Sequence, residues 1–297
     1  MIRTIRGCIT FLLVLLNAIW IILIVTPLGL LRLVPIKPFQ ILVLKLNEKL
    51  AELYLFLNSR IQDLMHGADY RVEGMEKLKK DIWQFTTINH LSWADIFLFL
   101  YFTNTLQSVP RIFMKSQLWW LPITWTANLG LAMPYVVRRS KEAIMANPEL
   151  AKTDKQATLR ACKVYELFPT NVAGFIEGTR IDKEKYDASN SKFKNLMPPK
   201  IGGMGYTLEV MPYIDHLTDI TLVYNSDKRG FWDFLCGDLR QASVTINTYK
   251  IPEELRGQDY SNNDELRAKL KTFLEEIWEE KDQIIEREKQ RYGIKSV

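Results

Sequence analysis

Two short polar clusters in this 297-residue chain gather side chains able to move a proton or hold an anion. The first is Asn89-His90-Leu91-Ser92-Trp93-Ala94-Asp95. Histidine is scarce, at three residues (His66, His90 and His216), and an imidazole is the side chain best suited to accept a proton near neutral pH. Asp95 follows His90 by five residues, about 500° around a continuous helix. The two meet only if His90 stays in a turn ahead of a helix that begins at Ser92. A carboxylate on one ring nitrogen would then fix the tautomer and leave the other nitrogen to take a proton. The same residues also read as a helix start, with Ser92 as N-cap and Asp95 at the third helical position. His66 and His216 sit in no comparable cluster. The second cluster is Phe175-Ile176-Glu177-Gly178-Thr179-Arg180. It places a carboxylate, a backbone amide, a hydroxyl and a guanidinium in one turn. A planar arginine fork suits a phosphate, although a loop closed by a salt bridge has the same composition.

Each cluster follows an apolar run that reads as a strand, Ile82–Ile88 before the first and Asn171–Ile176 leading into the second. Ile220–Tyr224 and Ala242–Tyr249 read as further strands, and Ile96–Phe102, Lys141–Leu167 and Glu265–Gln290 as helices. Strand–helix alternation predicts an α/β fold, a single catalytic domain over 67–297 with a central mixed sheet flanked by helices. In such folds, chemistry sits just beyond the C-terminal ends of strands, where both clusters lie. Ahead of the domain, Gly7 to Leu31 is a 25-residue run without a charge, flanked by Arg3, Arg6 and Arg32. A helix of that length exceeds the roughly 30 Å of membrane hydrocarbon. Residues 1–36 are therefore expected to form a transmembrane or membrane-embedded segment, and 37–66 an amphipathic membrane-associated helix. A full span and a helical hairpin dipping into one leaflet both fit.

Charge and cysteine content narrow the class. Residues 1–60 carry seven basic and two acidic side chains, which accounts for the whole net charge of +5; the remainder carries 32 of each sign. A neutral body argues against a nucleic-acid reader. Cys8, Cys162 and Cys236 share no close spacing, so neither a disulfide framework nor a metal site is implied.

Taken together, the motif N-H-x-S-W-x-D and the later F-x-E-G-T-R resemble the glycerolipid acyltransferase family, membrane enzymes that acylate lysophosphatidate and other lysophospholipids. Met114-Lys115 with Leu118 and Pro122, Met133-Pro134-Tyr135-Val136-Val137-Arg138-Arg139, Leu196-Met197-Pro198-Pro199-Lys200 with Gly202, and Ile220–Tyr224 resemble its other blocks. Trp278-x-x-Lys281-Asp282 resembles a tail of the lysophosphatidate and lysocardiolipin branch and of related bacterial inner-membrane proteins. Ile176 stands where the family usually has proline, and the usual Val-Pro pair of the last block is absent.

The resemblance implies transfer of an acyl chain from acyl-CoA or acyl carrier protein to a lysophospholipid hydroxyl, with 1-acylglycerol-3-phosphate giving phosphatidate as the leading case. It implies no cofactor or metal. Its partners are the bilayer, the donor and the acceptor, with no nucleic acid. His90 becomes the general base and Asp95 its orienting carboxylate. Glu177, Gly178, Thr179 and Arg180 become acceptor-binding residues, with Arg139 or Arg138 as a second phosphate ligand and Lys115 and Lys200 as further candidates. The expected location is the bacterial inner membrane with the catalytic body facing the cytosol. A His-Asp hydrolase and a non-catalytic adaptor are the rival classes; no G-x-S-x-G elbow is present to support the first.

Overall fold

The computed structural model describes residues 1–79, 81–106, 109–136, 147–261 and 263–294. The chain opens with two long helices, α1 (Ile2–Leu31), which continues through Pro27, and α2 (Lys37–His66). Then come β1 (Asp69–Glu73), β2 (Gln84–Ile88), α3 (Asp95–Leu106), β3 (Arg111–Ile112), β4 (Met114–Lys115), α4 (Pro122–Leu131), β5 (Tyr135–Val136), α5 (Pro148–Cys162) and β6 (Asn171–Gly174). The remainder is α6 (Lys183–Ser189), α7 (Ile201–Val210), β7 (His216–Tyr224), α8 (Phe231–Leu235), β8 (Gln241–Lys250) and α9 (Asp264–Tyr292).

Six strands form one mixed sheet in the order β1-β8-β7-β2-β6-β3, so the α/β expectation holds; β4 and β5 pair separately. The β7–β8 pair is antiparallel, while β7, β2, β6 and β3 all run the same way. All five residues of β2 are buried, as are eight of the nine in β7, the mark of strands covered on both faces. One face is packed by α9 through Leu270, Leu274, Ile277 and Trp278 against Leu217 and Val223. The other face is packed by α3 and α8, with Leu98, Phe99 and Phe234 against Ile88, Ile220 and Leu222. Each such side chain contributes about 1.5–3 kcal/mol by leaving water.

The register puts the C-terminal ends of three strands together. Thr87 lies opposite Gly174 of β6, and Ile88 opposite Ile220 of β7. The chain leaving β2 therefore emerges between the chain leaving β6 and the last four residues of β7.

Some boundaries differ from the sequence expectation. The strand read at Ile220–Tyr224 begins at His216, because a charged residue at its middle, Asp219, is buried against Lys281. The helix read over Lys141–Leu167 is described from Pro148, ends at Cys162 and continues as a 3₁₀ turn to Leu167.

Among the described residues α1 is the one helix long and apolar enough to cross a membrane, with a mean hydropathy of 2.9. It nevertheless docks on the body at both ends. At its start Arg3 pairs with Asp233 of α8 and with Asp238 just after it, and Gly7 faces Trp232 and Cys236. At its end Thr26 bonds Thr126, Arg32 Nη2 donates to the Asn128 carbonyl, and Gly29 meets the backbone of Leu129 and Gly130. A Cβ on Gly130 would lie 2.2 Å from Val25 Cγ1, so only glycine admits that approach of α1 to α4.

Candidate active site

Asn89 anchors the loop that leaves β2. Its side chain donates to the Leu222 carbonyl and accepts the Leu222 N–H, at 2.9 and 2.8 Å, and so extends the β2–β7 ladder by one side-chain rung. The next residue, His90, is thereby held at the strand end, ahead of a helix that starts at Asp95 rather than Ser92. His90 Nδ1 lies 2.9 Å from Asp95 Oδ2. The same oxygen accepts the Leu91 and Ser92 N–H groups at 2.5 and 2.7 Å, and Oδ1 accepts the Tyr224 hydroxyl at 2.8 Å. Asp95 therefore orients the imidazole and also caps the helix entrance, from the first helical position rather than the third. With four donors around a fully buried carboxylate, Nδ1 carries the hydrogen and Nε2 presents its lone pair. Phe175 stacks on the ring, 3.9 Å between centroids, and fixes its plane. The His90 side chain remains 14% exposed, enough for a substrate atom to reach it.

The second cluster is tied to the first by two backbone hydrogen bonds. His90 N donates to Glu177 Oε1 at 3.0 Å, and Ile181 N donates to the His90 carbonyl at 2.9 Å. Glu177 is 1% exposed. Burial pushes its pKa up to about 7, opposed by the His90 N–H and by the charge of Lys281. Glu177 thus braces the His90 backbone inside the protein. Beside the acceptor-binding role that the resemblance implies for it, Glu177 makes this bracing contact because β6 delivers it inward while Gly178 takes the turn at φ +74°. Gly178 is exposed, Thr179 and Arg180 are half-buried, and the Arg180 guanidinium lies 4.5 Å over the Trp93 ring. Trp93 is 54% exposed and serves as the platform for that cation.

Lys200 belongs to the same group. Its backbone N–H donates to the Ile176 carbonyl, and its Nζ lies 3.3 Å from where a Cβ on Gly178 would stand. Its charge and that of Arg180 therefore flank the loop beside His90. Lys115 is exposed on β4, in the separate two-stranded sheet. Arg138 and Arg139 lie outside the described residues.

Sequence reasoning missed Tyr224 and the pair behind the site. Tyr224 is buried, and burial and then Asp95 hold its hydroxyl protonated far above the ordinary range. Lys281 Nζ, also buried, donates to Asp219 Oδ1 at 2.7 Å and to the Ile220 carbonyl at 2.9 Å. Both residues sit in blocks that carry the family resemblance, Lys281 in Trp278-x-x-Lys281-Asp282 and Tyr224 at the end of Ile220–Tyr224, but neither block by itself assigns them a contact. Among the described residues no group of three or more His, Cys, Asp or Glu could hold a metal.

No protein-family model matches this chain, and no curated protein sequence does. A solved structure that it resembles is that of the 1-acyl-sn-glycerophosphate (LPA) acyltransferase PlsC from Thermotoga maritima, at 16% identity and a TM-score of 0.47, over 94% of this chain and 98% of that one.

Proposed function

We propose that this protein is a membrane-bound O-acyltransferase that moves a fatty acyl group from a thioester donor, acyl-CoA or acyl carrier protein, to the hydroxyl of a lysophospholipid. The acceptor that fits best is 1-acylglycerol-3-phosphate. The observation that carries the reading is the His90–Asp95 pair, with Nε2 left free beside a loop that bears Arg180 and is flanked by Lys200. Nε2 takes the proton of the acceptor hydroxyl as its oxygen attacks the thioester carbonyl carbon. The tetrahedral intermediate collapses with cleavage of the C–S bond, and the imidazolium returns the proton to the departing thiolate. Asp95 stabilises the imidazolium in between. Arg180, with Lys200, binds the acceptor phosphate.

A hydrolase with a serine nucleophile is less well supported. The Ser92 hydroxyl donates to the Arg229 carbonyl at 2.8 Å and accepts the Ala94 N–H, so it is not offered to His90. Free Cys162 and Cys236 are buried.

The docking of both ends of α1 on one folded body favours the in-plane alternative for the membrane segment. A 30-residue helix is about 45 Å long, and a full span would carry its ends to opposite sides of the bilayer. On this reading α1 and α2 lie in one leaflet, their exposed leucines and isoleucines in lipid, and the body faces the cytosol, where the donor is found. Reporter fusions after Arg60 and at the C-terminus test this; a body found on the outer side refutes it.

The deciding experiment is transfer of labelled acyl from acyl-CoA in washed membranes across a panel of lysolipids, with His90→Ala alongside. The expected loss is about 10²–10⁴-fold. Equal activity in both proteins would remove His90 as the base, and acceptor-independent thioester cleavage would move the assignment to a hydrolase.

A further inference from the structure

The turn that follows Tyr224 forms part of an open, polar pocket of about 420 Å³. Three cations line it: Arg6 from α1, Lys228 from the turn, and Arg240 from the start of β8. Asp238 is the one carboxylate in the lining, and it is already engaged. It accepts Arg3 through Nε and Nη2, at 2.8 and 2.7 Å, and it pairs with Lys228. Arg6 and Arg240, in contrast, form no ion pair or side-chain hydrogen bond among the described residues. The lining therefore carries a surplus of two positive charges, both on guanidinium groups without a counter-ion.

The recess is shaped around one of them. Arg6 is half-buried, and its Nη1 lies 2.9 Å from where a Cβ on Gly237 would stand. Gly237 also has φ +80°, so the residue that the turn requires is the one that leaves room for the guanidinium. Asn225, Ser226 and Gln241 complete the lining; the Asn225 amide donates to Gln241 Oε1 at 3.1 Å.

We propose that this pocket binds a phosphoryl group, a phosphate mono- or diester held between Arg6 and Arg240. Planar forks that donate parallel hydrogen bonds match such an anion, and a phosphate would supply the missing counter-charge. The position suits two sources. Arg6 immediately precedes the uncharged run of α1, at the level of lipid headgroups. The pocket also adjoins the catalytic loop, since Tyr224 bonds Asp95 and the Arg229 carbonyl accepts Ser92 Oγ at the two ends of the same turn. The occupant is thus either the phosphoadenosine end of a CoA thioester or the headgroup of an anionic lipid. The first source rests on the acyl-transfer reading; the pocket does not.

The test is isothermal titration of the purified full chain in neutral detergent with two probes, adenosine 3′,5′-bisphosphate and dihexanoyl phosphatidylglycerol. Wild type, His90→Ala and Arg6→Gln/Arg240→Gln are compared. At least one probe should bind wild type and His90→Ala alike and bind the double variant about 25-fold more weakly, at about fivefold per guanidinium. Binding of the nucleotide assigns the pocket to the donor, and binding of the lipid alone assigns it to a headgroup. Failure of both probes to bind, or binding unchanged in the double variant, overturns the proposal. Arg240→Gln alone, at an exposed position, gives a fivefold readout should the double variant not fold. Thioester cleavage by wild type with no acyl transfer to any lysolipid would sink the acyltransferase reading and leave these titrations standing.

Discussion

Replacing Asp95 by asparagine tests the dyad more sharply than removing it. Three donors converge on Oδ2 (His90 Nδ1 and the Leu91 and Ser92 N–H groups) and one, the Tyr224 hydroxyl, on Oδ1. The two backbone amides can only donate. An asparagine must therefore place its carbonyl oxygen where Oδ2 was and turn its amide toward Tyr224, whose hydroxyl can rotate to accept. The imidazole keeps its hydrogen on Nδ1 and its lone pair on Nε2, and only the negative charge is lost. Hydrogen bonds to a charged group contribute about 1.5–3 kcal/mol, so the expected loss in kcat/KM is about 10- to 150-fold. Asp95→Ala, which also releases the ring and both amides, should fall to the level of His90→Ala. Acyl-transfer kinetics on the three variants, with ¹⁵N NMR of the His90 ring, provide the assay. An Asp95→Asn enzyme as inactive as His90→Ala, or one whose Nε2 carries the hydrogen, would refute the claim that the backbone amides dictate the tautomer.

Glu177 makes wild-type stability fall as pH rises. Its pKa is about 7 in the folded protein against 4.5 for an unperturbed carboxyl, so the native state binds its proton more tightly. About 3 kcal/mol is lost between pH 4.5 and pH 7. Glu177→Gln should lack that decline in urea unfolding at pH 5 and pH 8, and identical pH dependence in both proteins would contradict the assignment. Lys281→Met should cost about 3–5 kcal/mol by leaving Asp219 charged and buried, and adding Asp219→Leu should recover most of it; a single variant that melts like wild type would show the pair to be unimportant. Gly130→Ala should cost about 1–3 kcal/mol by overpacking against Val25, with Val25→Ala relieving it. No change in the melting temperature would mean that α1 does not dock on α4.

The sequence by itself determined the local features. The uncharged run from Gly7 to Leu31 allows little but a long apolar helix, and the spacing of Leu266, Leu270, Phe273 and Ile277 marks one face of α9. The apolar runs of β2, β6 and β8 stand out by composition, and His90 and Asp95 are close enough in the chain for their pairing to be a local question. Short elements such as β3 and β4, at two residues each, carry too few positions for any period to register. Tertiary structure decided everything that depends on partners far apart. The parallel register of β6, β2 and β7 brings Glu177 under the His90 backbone and Tyr224 onto Asp95 from 129 residues away. A tyrosine closing an apolar strand reads as core until that register is known. Asp219 interrupts its strand in sequence yet belongs to it in the fold, because Lys281 neutralises it from α9. Glu177, in a turn that looks made for a ligand, faces inward for the same reason. Periodicity records which side of an element is buried, and only the packing of elements sets which side chain meets which.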